Sequence, residues 1–157
     1  MDKVAIENAL LASFWSDAWK EGLWAASWPK SLEGLTAQQA AWTPPSAPGV
    51  TARRHSIWLI VSHMCFWRED ALRRLADPRK PTEAAIAAGN FPEPTDVSEK
   101  AWAATRERFA DTQRCIAAEL ARPTTDTSRL RYMLVHDCYH FGQINYIRAM
   151  LGLPPIE

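Results

Sequence analysis

The chain has 157 residues, a length that favours a single domain over residues 1–157. Apolar residues make up 47%, with eight Trp, five Phe and three Tyr to fill a core. Eighteen basic residues balance eighteen acidic ones, which argues against a nucleic-acid binder, because such affinity rests on basic neutralisation of phosphates.

The first helical pattern runs from about Asp2 to Lys20, with Ile6, Ala9, Leu10, Ser13 and Phe14 at helical spacing and Val4, Leu11, Trp15 and Ala18 beside them. Gly22, Pro29, Pro44, Pro45, Pro48 and Gly49 then punctuate a long connection that no single helix can span. Within it, Thr36-Ala37-Gln38-Gln39 has the spacing of a capping box and predicts a short helix through Trp42. A second long helix is expected from Arg54 or Ser56 to Ala76, with a stripe of Ile57, Ile60, Met64, Trp67, Ala71 and Leu75. Pro81, Pro92 and Pro94 mark a loop. The third long helix starts near Thr95 or Ser98, presents Trp102, Thr105, Phe109, Thr112, Ile116 and Leu120, and stops at Pro123. A polar hinge, Thr124 to Ser128, leads into a fourth from about Arg129 to Leu151, closed by Gly152, Leu153 and Pro154. Four amphipathic helices without strands predict an all-α, antiparallel four-helix bundle.

The longest apolar runs, Ile57 to Val61 and Ala84 to Ala88, are far short of the ~20 residues of a membrane span. Asp2 and Glu7 interrupt any export signal. Three dispersed cysteines, Cys65, Cys115 and Cys138, read as reduced thiols, so a soluble cytoplasmic protein with no membrane partner is expected.

At about 100° per residue, the fourth helix turns Tyr132, Met133, His136, Tyr139, His140, Gln143, Ile144, Ile147, Met150 and Leu151 inward. Arg131, Asp137, Cys138, Gly142, Asn145 and Arg148 fall outside that arc. His136 and His140 are thus expected in the middle of the core stripe, one turn apart, where two imidazoles can reach one metal ion. The plain alternative is a pair of core histidines satisfied by hydrogen bonds. A third ligand must come from another helix. His63 lies at the edge of the second helix's apolar stripe, whereas His55 lies further round and about 12 Å along the axis, beside Ser62, Glu69 and Arg73. One ion cannot use both, so His63 is the candidate. Cys138 and Cys65 point away from the histidines. Two Glu-x-x-His motifs are missing, which removes di-iron chemistry.

The run His136-Asp137-Cys138-Tyr139-His140-Phe141-Gly142-Gln143-Ile144, followed by Arg148, resembles the terminal motif of the DinB/YfiT-like superfamily. Ser56 to Glu69, with His63 inside it, and Leu35 to Trp42 are similar to further segments of that family. His55 stands where Asn is often found, and Val50 to Arg53 looks like a small insertion. The resemblance implies a four-helix bundle, often a homodimer, with one divalent ion held by His63, His136 and His140. It also implies chemistry on low-molecular-weight thiols such as bacillithiol or mycothiol, of the S-transferase or isomerase type.

Three neutral nitrogen ligands leave an ion with a net positive charge and an open position, which suits water or a thiol. Zinc or nickel comes first, then iron or manganese, because all accept imidazole. Gln143, the one candidate catalytic residue, either orients a ligand through its amide or makes a hydrogen bond within the bundle. Gly142 in mid-helix points to close packing of helices or of a dimer. The expected function is a metal-dependent enzyme taking a small thiol and an electrophile. The alternatives are a metal-dependent hydrolase, a non-catalytic metal or small-ligand binding protein linked to stress, and a structural bundle with vestigial histidines.

Overall fold

The computed structural model describes residues 3–156, with side chains from Ala5 onward. Asp2 and the side chain of Val4, assigned to the first helix by the sequence, lie outside the described residues. Those residues form helices and no strand, as the sequence predicts. Four helices are long: α1 (Lys3–Lys20), α4 (Ile57–Ala76), α6 (Glu99–Leu120) and α7 (Leu130–Met150). Three short ones, α2 (Trp28–Leu32), α3 (Ala37–Ala41) and α5 (Glu83–Gly89), lie in the connections.

Local signals set most of the boundaries. Ser56 and Ser98 cap α4 and α6, each hydroxyl accepting a backbone N–H three residues on. The predicted capping box is formed: the Thr36 hydroxyl accepts from the Gln39 N–H, and the Thr36 N–H donates to Gln39 Oε1 at 2.9 Å. Gly152, at φ 70°, ends α7, with Leu153 N–H reaching back to the Arg148 carbonyl and Leu153 packed against the core. The hinge before α7 behaves differently. Its N-cap is Arg129, whose side chain makes no capping bond. The sequence also missed α2, where Pro29 sits in the first turn and pre-sets the backbone angle. It missed α5 as well, which Thr82 caps.

Helix α4 is the centre of the molecule and packs against both α6 and α7, while α1 packs against α6 and α2. Every residue from Ile57 to Cys65 is buried, so the stripe read from the sequence is really an enclosed helix. Ser62, read as part of a polar side, is buried with the rest.

The largest correction concerns α7. Tyr132, Tyr139 and Met150, expected inside, are exposed, whereas Asp137 and Arg148, expected outside, are buried. The buried arc runs through Leu130, Asp137, His140, Phe141, Ile144, Ile147 and Arg148, turned by about 80° from the expected one. The histidines therefore stand at its edge.

The cause is a buried ion pair. Arg68 of α4 donates from Nε to Asp137 Oδ2 at 2.6 Å, and both side chains are fully buried. The guanidinium lies over the Phe109 ring at 3.9 Å and over Trp15 and Trp28 at 4.9 Å each, and also donates to Thr112 Oγ1. Those rings pack on one another: Trp15 meets Trp28 edge-on at 5.2 Å, and Trp28 stacks on Phe141 at 5.5 Å. Arg148 holds the C-terminal end of α7 by donating to the carbonyls of Ser31 and Glu33.

Removing one member of a buried pair leaves the other charge uncompensated. Arg68→Met is expected to cost about 3–5 kcal/mol in urea unfolding, and the double variant Arg68→Met, Asp137→Leu to recover much of it. Equal stability of wild type and Arg68→Met would contradict this role.

Candidate metal centre

His63 comes from the middle of α4, and His136 and His140 lie one turn apart on α7. One nitrogen from each falls within 4.8 Å of the other two, which is close enough for one metal ion. Among the described residues no Cys, Asp or Glu joins the group. Cys65 is buried, and burial pushes its thiol up to about 12. Cys138 is exposed. His55, set aside as a ligand, sits at the edge of the same site, its ring 3.7 Å from that of Phe91, centre to centre.

Each histidine is held through Nδ1 by a side-chain oxygen. His63 Nδ1 is 2.6 Å from Asn90 Oδ1, which also accepts the Trp67 indole N–H at 3.1 Å. Since an indole nitrogen only donates, that atom of Asn90 is the acceptor oxygen, and His63 carries its proton on Nδ1. His136 Nδ1 lies 2.9 Å from Asp137 Oδ1, the oxygen that Arg68 leaves free. His140 Nδ1 lies 2.7 Å from Gln143 Oε1, whose amide nitrogen donates to Tyr139 Oη at 3.0 Å. With Nδ1 protonated three times over, the lone pairs sit on Nε2. His63 Nε2 and His136 Nε2 stand 2.9 Å apart, so that with both rings neutral two acceptors face one another. That contact is repulsive by itself and is satisfied by a cation, so the residues present fit a divalent ion.

Of the residues that hold the histidines, sequence reasoning singled out only Gln143. Its amide is bonded at both ends within α7, to His140 and to Tyr139. Asp137 was assigned to the outside of the bundle. Asn90 went unmarked, because it caps α5, a helix of about two turns in a stretch read as loop. A Cβ on Gly89 would overlap the Phe66 ring, so glycine is what lets α5 close onto α4 and bring Asn90 to His63. Phe91 follows at φ 57°, a left-handed conformation rare for a bulky residue, and its ring stacks on His63 at 4.0 Å.

Of the three imidazoles, His140 lines a cavity of about 880 Å³, together with Gln143 of α7 and with His55 and Phe91 of the facing loops. Gly142 lies on its wall with open space where a Cβ would be, so no helix of this chain packs closely on it.

Compared with known families, residues 23–144 match the DinB superfamily, a stretch that includes all three histidines and Asn90. The chain belongs to the DinB superfamily. No curated protein and no solved structure gives a match. As a DinB-superfamily chain it carries a metal-compatible histidine cluster on helices alone, and no described helix is long and apolar enough to cross a membrane.

Burial lowers two of these imidazoles, His63 and His140. His63 is lowered to about 4, mainly by burial, with His140 and His136 lowering it further and the bond to Asn90 opposing. His140 is lowered for the same first reason. Unfolded imidazoles take up protons below about 6.5, whereas folded His63 resists until about 4, so in that window the unfolded state binds more protons. Stability of the metal-free protein is therefore expected to be fully present above about pH 6.5 and to decline as pH falls toward 4. Urea midpoints taken across this range should fall with pH, and His63→Leu should flatten the decline.

Proposed function

We propose that this chain is a metal-dependent enzyme that uses a low-molecular-weight thiol, of the S-transferase or isomerase type, with His63, His136 and His140 holding one divalent ion. The observation that carries the reading is the convergence of three imidazoles, each held through Nδ1 by a side-chain oxygen, with His140 on the wall of an open cavity. When bound, such an ion acts as a Lewis acid that makes a coordinated thiol give up its proton near neutral pH. Zinc and nickel are the first candidates, since both accept imidazole.

The residues around the cavity favour a thiol over water. No Asp or Glu occurs among its described lining residues, and a thiol needs less help to ionise than water does. Gln143 acts as a positioning residue for His140. Tyr139, whose hydroxyl oxygen already accepts from Gln143, keeps its own proton to donate to a ligand. Two exposed, unpaired thiols, Cys115 and Cys138, suit a reducing compartment such as the cytoplasm.

A homodimer belongs to this proposal. Tyr132, Val135, Tyr139 and Tyr146 of α7 are 64%, 69%, 63% and 70% exposed and recur at spacings of three, four and seven residues, with open Gly142 among them. That uncovered seam fits a second copy of the chain, which would roof the cavity mouth. Light scattering at micromolar concentration is expected to give twice 17.7 kDa, and Tyr146→Glu to shift the mass downward. A single 17.7 kDa species in the wild type removes the dimer.

The purified protein is expected to hold about one divalent ion per chain, lost in His63→Ala, His136→Ala and His140→Ala and kept in His55→Ala. Asn90→Leu should weaken it by about 10–100-fold through the loosened His63. Elemental analysis decides the ion, and the visible spectrum of cobalt-loaded protein, changed by small thiols and unchanged by their alcohol analogues, decides the thiol. Full metal retention in the His136→Ala, His140→Ala double variant would end the proposal. A spectrum indifferent to every thiol would return the site to hydrolysis or plain binding.

A further inference from the structure

The cavity beside the histidines has a strongly biased charge. Arg53 and Arg54 stand on its wall, and His55 and His140 contribute the other titratable nitrogens, while no Asp or Glu occurs among its described lining residues. In a chain of zero formal net charge, such a one-sided lining marks a recognition surface. The two arginines are also available. Arg54 makes no ion pair or hydrogen bond among the described residues. Arg53 pairs with Glu93 at 2.5 Å, but both side chains are more than half exposed, and an exposed pair is held weakly enough to exchange partners.

The backbone that carries them is pinned. Val50 N–H donates to the Ala47 carbonyl, and Ser46 Oγ to the Ala52 carbonyl, closing a tight loop from the prolines to Arg53. The small insertion noted in the sequence, Val50 to Arg53, overlaps this loop. The wall also carries the aromatic rings of Phe91, Tyr139 and Tyr146. The volume, about 880 Å³, suits a metabolite-sized ligand.

We propose that the ligand of this cavity is a small oxyanion-bearing molecule, a carboxylate or phosphate ester, whose anionic end is bound by Arg53 and Arg54 while its reactive end lies at the histidines. The inference deepens the thiol reading and rests on it only for the reactive end. The donor set gives a second reason. Three neutral imidazoles cancel none of a divalent ion's charge, and Asp137, the one carboxylate bonded to them, is already neutralised by Arg68. A guanidinium pair matches a carboxylate or phosphate in a two-pronged contact that a neutral group cannot reproduce.

The test separates the two ends. Metal-free protein, isotope-labelled for amide chemical shifts, is titrated with tricarballylate, with glycerol 2-phosphate and with neutral glycerol. One or both anions are expected to bind at residues of the cavity, with glycerol not binding, and the responding anion tells carboxylate from phosphate. The double variant Arg53→Gln, Arg54→Gln should weaken that binding by at least about tenfold, and Arg54→Lys should weaken it less than Arg54→Gln does. Both arginines are exposed, and unchanged circular dichroism checks the fold of the variants. Equal binding by wild type and the double variant overturns the inference, as does glycerol binding as well as the anions. A protein that holds no metal yet binds an anion through these arginines fails the metal reading and supports this one.

Discussion

The Arg68–Asp137 pair is the constraint on which the arrangement of this molecule depends. A guanidinium and a carboxylate cannot be buried apart, because each alone would bear a desolvation penalty of several kcal/mol. Together, inside a box of Trp15, Trp28 and Phe109, they tie the middle of α4 to the middle of α7. That bond sets the rotation of α7 about its axis. With Asp137 turned fully inward, the residue before it and the residue three after it come to the edge of the interface, facing His63 across the gap. Burial of a charge pair thus places three imidazoles that hydrophobic packing alone would have left unspecified.

Some of this was legible in the chain and some was not, for reasons that differ by residue. Ser56, Ser98, Thr36 and Gly152 act within a turn of themselves, so their effect is visible at short range in the sequence. The histidine cluster was legible because an i, i+4 pair and a third His on another helix need only helical geometry to meet. The facing of α7 was not. Tyr132, Tyr139 and Met150 are apolar enough to pass for core, and Asp137 and Arg148 charged enough to pass for surface, until a partner on another helix is known. Asn90 was out of reach for a related reason: its role is fixed by the fit of Gly89 against Phe66, which no local pattern records.

The three oxygens behind the histidines are not alike. Two belong to amides, Asn90 and Gln143, and one to a carboxylate that has already given its charge to Arg68. All three therefore fix orientation and proton position without adding net negative charge to the centre. A histidine backed by a free carboxylate would be more basic and would pull more strongly on an ion. Here the basicity is kept low: burial keeps His63 neutral until about pH 4 and lowers His140 in the same direction.

The oxygen of Asn90 does two things at once: it takes the proton of His63 and the indole N–H of Trp67. Any event that alters the electron demand of that imidazole must alter the hydrogen bond of the indole that shares its acceptor. Trp67 is thus wired to the centre through one atom, and the fold contains its own optical reporter. Among eight tryptophans this one is expected to change its emission when an ion is added, and a Trp67→Phe chain provides the blank against which to read it.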